Sequence, residues 1–431
     1  MVIGRPFQIP AAWLAGLYVA AVLAPVAAAL SGPEPLNWAA ELGSAAGLAA
    51  GSVLAVQFVT SGRFELIGGS IGIDRIIGFH RFAGRALIVL LLAHIVGFVV
   101  AGGGDLVTVL ERSVRLLTAP SLLTGVAAAV LIGFVVWTAV RRERLSWTYE
   151  AWRACHGICS TVAFVCVIDH VWARGTYIRV PTVAVVGAVL AVVAVFALLD
   201  IHFMRSARVL ASRWRTETVR RLGPKLWEVV LRHQTGRRFR FRAGQFVWAT
   251  FGRQPTVADH PFSIASAPAE LPQLRFVIKE AGDFTNRIGK LAPGTIATLD
   301  GPHGNLVVWD DQASVIILIA GGVGIAPIIG ILRSLASSHD RRPVRLVVAT
   351  KTAEDQVFTS EVSEMRTQLD LAAAFIVEVP SAEWAGPIGK VNRDVLAVLL
   401  SGLDTKRALA LLCGPRAMMG KHSVRAAEAA G

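Results

Sequence analysis

Six long apolar stretches fall before about residue 205, at 11–30, 38–59, 77–101, 121–140, 149–173 and 182–204. Each is near or above the roughly 18–20 residues that a helix needs to cross a bilayer. Lipid offers no partner to backbone amides and carbonyls, so stretches of this length have one regular solution, the α-helix. Beyond residue 205 the pattern changes to short β-branched runs punctuated by Gly and Pro, as in soluble α/β sequence. The chain therefore divides into a membrane bundle of about 205 residues and a soluble half large enough for two small domains. Small residues near Ala27–Leu30 resemble a signal-peptide boundary, but only Arg5 precedes the first stretch and five more follow, so it reads as a retained helix.

The net charge of +13 raises the question of nucleic acid, but no recognised nucleic-acid module accompanies it. Its distribution points to membrane topology instead. Arg63 and Arg75 lie between the second and third stretches, Arg141, Arg142 and Arg144 between the fourth and fifth. Arg205, Arg208, Arg213, Arg215, Arg220 and Arg221 follow the sixth. The intervening loops carry fewer: Arg112 and Arg115 in one, Arg174 and Arg179 in another. The positive-inside rule then places both termini and the soluble half in the cytoplasm. The basic run 205–221 reads either as a cytoplasmic helix extension or as a contact for anionic headgroups.

Four histidines sit inside these stretches, in two pairs of equal spacing: His80 and His94, His156 and His170. Fourteen steps at about 100° return to nearly the same helix face, and at about 1.5 Å per residue they span roughly 21 Å. Ionisable residues at that depth are costly and usually functional. The third and fifth helices run in the same direction, so His80 faces His156 on the inner side and His94 faces His170 on the outer. Imidazole ligates haem iron, and the spacing suggests two stacked haems. The alternative is four unrelated histidines, each hydrogen-bonded to a neighbouring helix. Leu87 and Ala163 fall midway on the same faces and would line the gap with apolar groups. Arg81 and Arg85 are placed to meet inner propionates and Arg174 outer ones; snorkelling to headgroups is the competing explanation. Cys155, Cys159 and Cys166 share the fifth helix as small packing residues. Cys155–His156 is not the C-x-x-C-H order of covalent haem.

In the soluble half, 226–251 alternates in strand fashion and contains Ala243-Gly244-Gln245-Phe246. His260-Pro261-Phe262-Ser263 follows, then a strand at 274–279 and Gly282-Asp283-Phe284-Thr285, where a hydroxyl and helix-start amides suit a pyrophosphate. Gly301-Pro302-His303-Gly304 reads as a tight turn closing the region. A buried strand, Val315–Ala320, runs into Gly321-Gly322-Val323-Gly324-Ile325-Ala326-Pro327 and a helix through about 336. Glycines between strand and helix let amides approach a dinucleotide phosphate, although the spacing is not G-x-G-x-x-G. A second strand at 343–350 ends in Thr350-Lys351, and a third at 408–412 ends in Cys413-Gly414-Pro415 at the carboxyl edge, where such sheets bind ligands. Cys413 reads alternatively as a small buried residue after a strand.

On these residues the chain resembles the ferric reductase and NADPH oxidase superfamily, prokaryotic type. The resemblance covers nearly the whole chain. It implies an all-α six-helix membrane bundle, a β-barrel FAD domain and an α/β nucleotide-binding domain, expected at 1–210, 211–308 and 309–431. It implies two b-type haems on His80, His94, His156 and His170. The His-Pro-Phe-Thr/Ser flavin motif matches His260 to Ser263, with the hydroxyl near the flavin ring. The flavin set is then Gln245, Phe246, His260, Pro261, Phe262, Ser263, Lys279, Gly282, Phe284 and Thr285. The nucleotide motif matches Gly321, Gly322, Gly324 and Pro327, with Lys351 near a 2′-phosphate and Cys413, Gly414 and Pro415 near the nicotinamide. Ser263 and Cys413 are the expected catalytic pair.

The implied function carries electrons from cytoplasmic NAD(P)H through FAD and two haems to an acceptor at the outer face of the plasma membrane. That acceptor is oxygen, giving superoxide, or a chelated metal such as ferric iron. The non-enzyme alternative is a haem-bearing subunit feeding a partner protein outside the cytoplasm; the fused flavin module argues against it. Lys351, with no acidic residue directly ending its strand, favours NADPH over NADH, with Glu354 or Asp355 as rival ribose partners. Two departures stand out. The sequence ends at Gly431, before the family's last strand and the aromatic residue that covers the flavin, as in a fragment or a member without that residue. Phe98 follows His94 by one turn, where superoxide-producing animal members carry more polar surroundings.

Overall fold

An apolar segment in lipid must pair its own backbone groups, and the first unit, Met1–Arg205, is helical throughout its apolar stretches. The computed structural model describes residues 10–32, 37–61, 64, 71–205, 207, 209, 213–234, 239–252, 259–310, 312–415 and 418. Arg5, Arg63, Arg208 and the segment 419–431 lie outside them. The helices are α1 (Ala11–Ala29), α2 (Trp38–Val59), α3 (Ile73–Ala101), α4 (Leu106–Thr118), α5 (Leu123–Val140), α6 (Tyr149–Arg174) and α7 (Pro181–Leu199). Among the described residues six helical segments are long and apolar enough to cross a membrane, α5 with the turn before it and α7 continued to Met204 by a π turn. Starts are set by side-chain caps: Asn37 accepts from the Ala40 amide, and Thr148 from the Ala151 amide.

One helix was not expected. The loop carrying Arg112 and Arg115 folds into α4, capped by Asp105, whose side chain accepts from the Thr108 amide. Arg112 reaches back to donate to the carbonyls of Val99, Gly102 and Gly103, closing the end of α3. Val107, Leu110 and Val114 stay exposed on the other side of α4.

The most buried span is α2, and its face explains why. It is rich in Gly, Ala and Ser, and small residues let helix backbones come close. A Cβ added at Gly97 of α3 would lie 2.6 Å from the Gly43 Cα. The bundle core gathers Val53, Leu54 and Phe58 of α2, Ala83 and Leu87 of α3, Ile132 of α5 and Ala163 and Phe164 of α6.

The second unit, Ser206–Gly431, holds two sheets. The first is antiparallel, from β1 (Arg213–Gly223), β2 (Leu226–His233), β3 (Phe246–Phe251), β4 (His260–Ser263), β5 (Gln273–Lys279) and β6 (Ile296–His303), in the order β4-β3-β6-β1-β2-β5. A bridge from Ile264 to Phe276 joins the two edges into a barrel. Two expectations are corrected here. The basic run after the membrane unit is not a helix extension over 213–221, because it forms β1. Trp214 and Thr216 point inward, while Arg215 bonds Gln234 and the Gly294 carbonyl and Arg220 pairs with Glu228. A two-residue period decides the matter: aromatic and β-branched residues alternate with arginines. Gly301-Pro302-His303 is likewise no tight turn. It continues β6, with Phe246 opposite His303 across a register shift in the ladder.

The second sheet is parallel, from β7 (Val315–Gly321), β8 (Val344–Thr350), β9 (Leu371–Val377) and β10 (Ala408–Cys413), in the order β10-β7-β8-β9. Helices α8 (Ile325–Ser337), α9 (Thr359–Met365) and α10 (Arg393–Leu400) accompany it. The chain leaves β7 toward β8 and later returns to pair β10 on the other side of β7. The carboxyl ends of β7 and β10 therefore flank a topological switch point, where open α/β sheets take ligands.

Trp214, fully buried against His233 and Phe239, anchors the barrel core. Trp214→Ala is expected to destabilise the soluble unit by about 3–5 kcal/mol, read as a lowered midpoint of flavin release in a denaturant series.

Candidate functional site

In the membrane unit α3 packs chiefly on α2, and α6 on α5. The histidines of α3 and α6 meet across the space between. The ring centroids of His80 and His156 are 6.4 Å apart, and those of His94 and His170 are 6.3 Å apart. The two pairs are equally spaced, each with two imidazoles facing across the gap. Leu87 and Ala163, between the levels, are 3% and 1% exposed, so apolar side chains separate the two pairs.

The rings are held from behind by the neighbouring helices. His94 Nδ1 lies 2.8 Å from the Gly43 carbonyl oxygen, which accepts its proton and leaves Nε2 for a ligand. His80 Nδ1 lies 3.4 Å from Thr60 Oγ1, and Gln57 donates to the His80 carbonyl at 3.0 Å. Nδ1 of His156 and of His170 is buried without a hydrogen-bond partner among the described residues. A Cβ at Gly47 would lie 2.5 Å from His94 Nδ1, and one at Gly125 2.5 Å from His170 Nδ1. These two glycines make the room that the His94 and His170 rings occupy. The sequence reading missed them, although Gly43, Gly47 and Gly51 recur every four residues on one face of α2. Arg81 and Arg85 are exposed, and Arg174 donates to Ser121 Oγ.

In the barrel, β4 is an edge strand paired with β3, Ser263 opposite Phe246. Phe262 turns into the core, while Pro261 is exposed and Ser263 half-buried on the other side. Phe284 stacks on His260 at 4.4 Å and 13°, bringing two separated motifs together. Gln245 ties the sheet end: its Oε1 accepts from the Arg242 amide and its Nε2 donates to the Gly304 carbonyl. The Thr285 hydroxyl accepts from the Ala281 and Gly282 amides and shapes the turn before the helical segment Thr285–Lys290. Lys279 is exposed at the end of β5.

In the parallel sheet, pairing of Cys413 with Ala320 lays Cys413-Gly414-Pro415 along the glycine loop. A Cβ at Gly321 would lie 2.9 Å from Pro415 Cδ, and one at Gly324 would strike the Cys413 carbonyl. Gly322, at φ +54°, turns the chain. α8 then begins at Ile325 and contains Pro327, with its amino end at the loop, an arrangement suited to phosphate. Lys351 follows β8 and is exposed; Glu354 is exposed beyond it, and Asp355 accepts from Thr352 Oγ1.

Fold and sites together define a multi-pass membrane protein fused to a flavin- and nucleotide-binding reductase module. Three family descriptions match in series: "Ferric reductase like transmembrane component" over 46–167, "FAD-binding domain" over 212–321 and "Oxidoreductase NAD-binding domain" over 318–423. The chain belongs to the ferric reductase and NADPH oxidase superfamily, whose architecture these three parts make up. Among curated proteins it is similar to the gamma subunit of sulfhydrogenase 2 of Pyrococcus furiosus, 32% identical over 200 residues, covering 43% of this chain and 67% of that one. NADH-cytochrome b5 reductase 2 of Pyricularia oryzae is 27% identical over 164 residues, 37% of this chain and 50% of the relative. Cytochrome b5 reductase 4 of Bos taurus is 29% identical over 168 residues, and the chain spans 32% of its length. A solved structure titled "Ferredoxin reductase in carbazole 1,9a-dioxygenase" aligns with a TM-score of 0.45 at 24% identity, over 51% of this chain and 65% of that one.

The crowding at Gly324 is testable. Gly324→Ala would push the Cys413 carbonyl away, and is expected to cost about 1–3 kcal/mol and to weaken NAD(P)+ retention in equilibrium dialysis. Gly187→Ala, with open space around it in the membrane unit, should leave NAD(P)+ retention unchanged.

Proposed function

We propose that this protein is a transmembrane oxidoreductase that spends NAD(P)H on the cytoplasmic side to reduce an acceptor, oxygen or a chelated ferric ion, at the outer face of the plasma membrane. What favours this function above all is two opposed histidine pairs, 6.4 and 6.3 Å between ring centroids, on the same chain as a flavin- and nucleotide-binding unit. Each pair offers two nitrogen donors, and among the described residues no cluster of three or more His, Cys, Asp or Glu side chains suits a bare ion. A haem suits the pairs better, because its macrocycle supplies the remaining four ligands. His80 and His156 would hold an inner b-type haem, and His94 and His170 an outer one. FAD, when bound, accepts hydride from the nucleotide, and the haems pass single electrons.

The chain's own residues position and insulate. The Gly43 carbonyl fixes the His94 ring, and Leu87 and Ala163 place apolar side chains between the two levels. His260, Ser263 and Phe284 form the flavin face, and Gly321–Gly324 with Cys413–Pro415 the nucleotide cleft. The proposed domain limits are 1–210, 211–308 and 309–431; a division after Arg205 supports the first, while the FAD-binding match runs to 321 and the NAD-binding match begins at 318. The arginines at 141, 142 and 144 support a cytoplasmic soluble unit under the positive-inside rule.

Replacing any one of the four membrane histidines with Ala should lower haem from about two per chain to about one, by pyridine haemochrome assay. His80→Ala and His156→Ala should block reduction from the flavin side; His94→Ala and His170→Ala should leave the inner haem reducible. Four variants that all retain two haems would overturn the ligand assignment. Admitting oxygen or a ferric chelate to the anaerobically reduced protein identifies the acceptor by which one reoxidises it. Lys351→Ala should raise KM for NADPH more than for NADH, since only NADPH carries the 2′-phosphate; equal effects would remove the phosphate contact.

A further inference from the structure

The flavin motif and the nucleotide motif lie on different sheets of the second unit, and one side chain joins them. Arg333 projects from α8, the helix that begins at the glycine loop, and its side chain is 11% exposed. Its Nη1 donates to the Ala265 carbonyl at 2.8 Å, two residues beyond Ser263. Its Nε and Nη2 donate to both carboxylate oxygens of Glu361 on α9, at 2.6 and 2.9 Å. The same Nη2 lies 3.9 Å from Glu228 Oε1 on β2, and the guanidinium covers the Phe358 ring at 5.4 Å.

The barrel side of this contact is equally built. The Ala265 amide donates to the Arg275 carbonyl, and the Arg275 amide donates to Ser266 Oγ. Glu228, 3% exposed, also takes Arg220 at 2.8 Å and Arg275 at 3.7 Å. One turn before Arg333, Gly330 brings α8 against the barrel: a Cβ there would lie 2.8 Å from the Ile264 carbonyl oxygen. The helix that starts at the nucleotide cleft is thus fastened twice to the peptide that follows the flavin motif. A planar guanidinium makes three directed bonds at fixed angles, which a lysine ammonium on its flexible stem does not reproduce.

We propose that Arg333 is a positioning residue for hydride transfer, setting the distance between the glycine loop Gly321–Gly324 and the flavin strand His260–Ser263 through its simultaneous hold on Ala265, Glu361 and Glu228. The proposal rests on the NAD(P)H-to-flavin step of the function above. In that step a hydride, two electrons with one proton, leaves the reduced nicotinamide, which becomes NAD(P)+, and reduces the flavin. Transfer of this kind is steeply sensitive to misplacement of the reacting groups.

The test uses the full-length protein in detergent, loaded with FAD, and follows anaerobic flavin reduction by NADPH and NADH in stopped flow. In Arg333→Lys and Arg333→Ala the limiting rate at saturating nucleotide should fall on the order of tenfold or more, while NAD(P)+ affinity and FAD occupancy change little. Glu361→Gln, which keeps the shape and weakens the fork, should fall between these and the wild type. It supplies the measurement if the Arg333 variants do not fold. A purely structural role predicts the opposite: lower thermal stability and FAD occupancy, with an unchanged limiting rate in the molecules that keep FAD. That result would overturn the role of Arg333 alone. A wild-type flavin that neither nucleotide reduces would overturn the proposed function itself, and this role with it.

Discussion

The membrane unit depends on how closely α2 can approach the helix that carries His80 and His94. Glycine and alanine on α2 remove side-chain bulk, so the backbones of α2 and α3 nearly touch at Gly43 and Gly97. In lipid such packing substitutes for the hydrophobic effect, which does not separate one apolar helix from its surroundings. That same closeness places the Gly43 carbonyl within reach of His94 and leaves the ring turned toward His170. Bulk on α2 would spoil the packing and the ring orientation together. Gly43 and Gly47 therefore serve fold and site at once.

The soluble unit is arranged by a different constraint, the order of its parallel strands. Placing β10 beside β7 brings Cys413-Gly414-Pro415 against the glycine loop, though nearly ninety residues separate them in sequence. Glycine at 321 and 324 is required because neighbouring backbone and proline occupy the space of a side chain. The barrel then meets the α/β layer at Ile264 and Ala265, directly after the flavin motif. The seam is polar and charged, yet its charges are paired: Glu228 and Glu361 are matched by Arg220, Arg275 and Arg333. Without these partners Glu228, 3% exposed, would be left as a buried unpaired charge.

Much of this was legible in the sequence. Span lengths and the fourteen-residue histidine interval are local quantities, fixed by helix rise and turn, and the structure returns both pairs at matching separations. The motifs at His260, Gly321 and Cys413 were readable because strand–glycine–helix order is also local. The basic run at 213–221 misled because charge was read before period: Trp214 and Thr216 alternate with arginines as a barrel strand requires.

The sequence by itself determined the division into a six-span bundle and a two-sheet soluble unit, since hydropathy period and length depend only on neighbours along the chain. It also determined which histidines share a helix face. Tertiary structure alone decided which carbonyl orients His94, which glycines clear space for the rings, and that Arg333 joins the flavin strand to the nucleotide helix. These depend on distances between residues dozens of positions apart, set by how closely particular backbones pack, and no local periodicity encodes them.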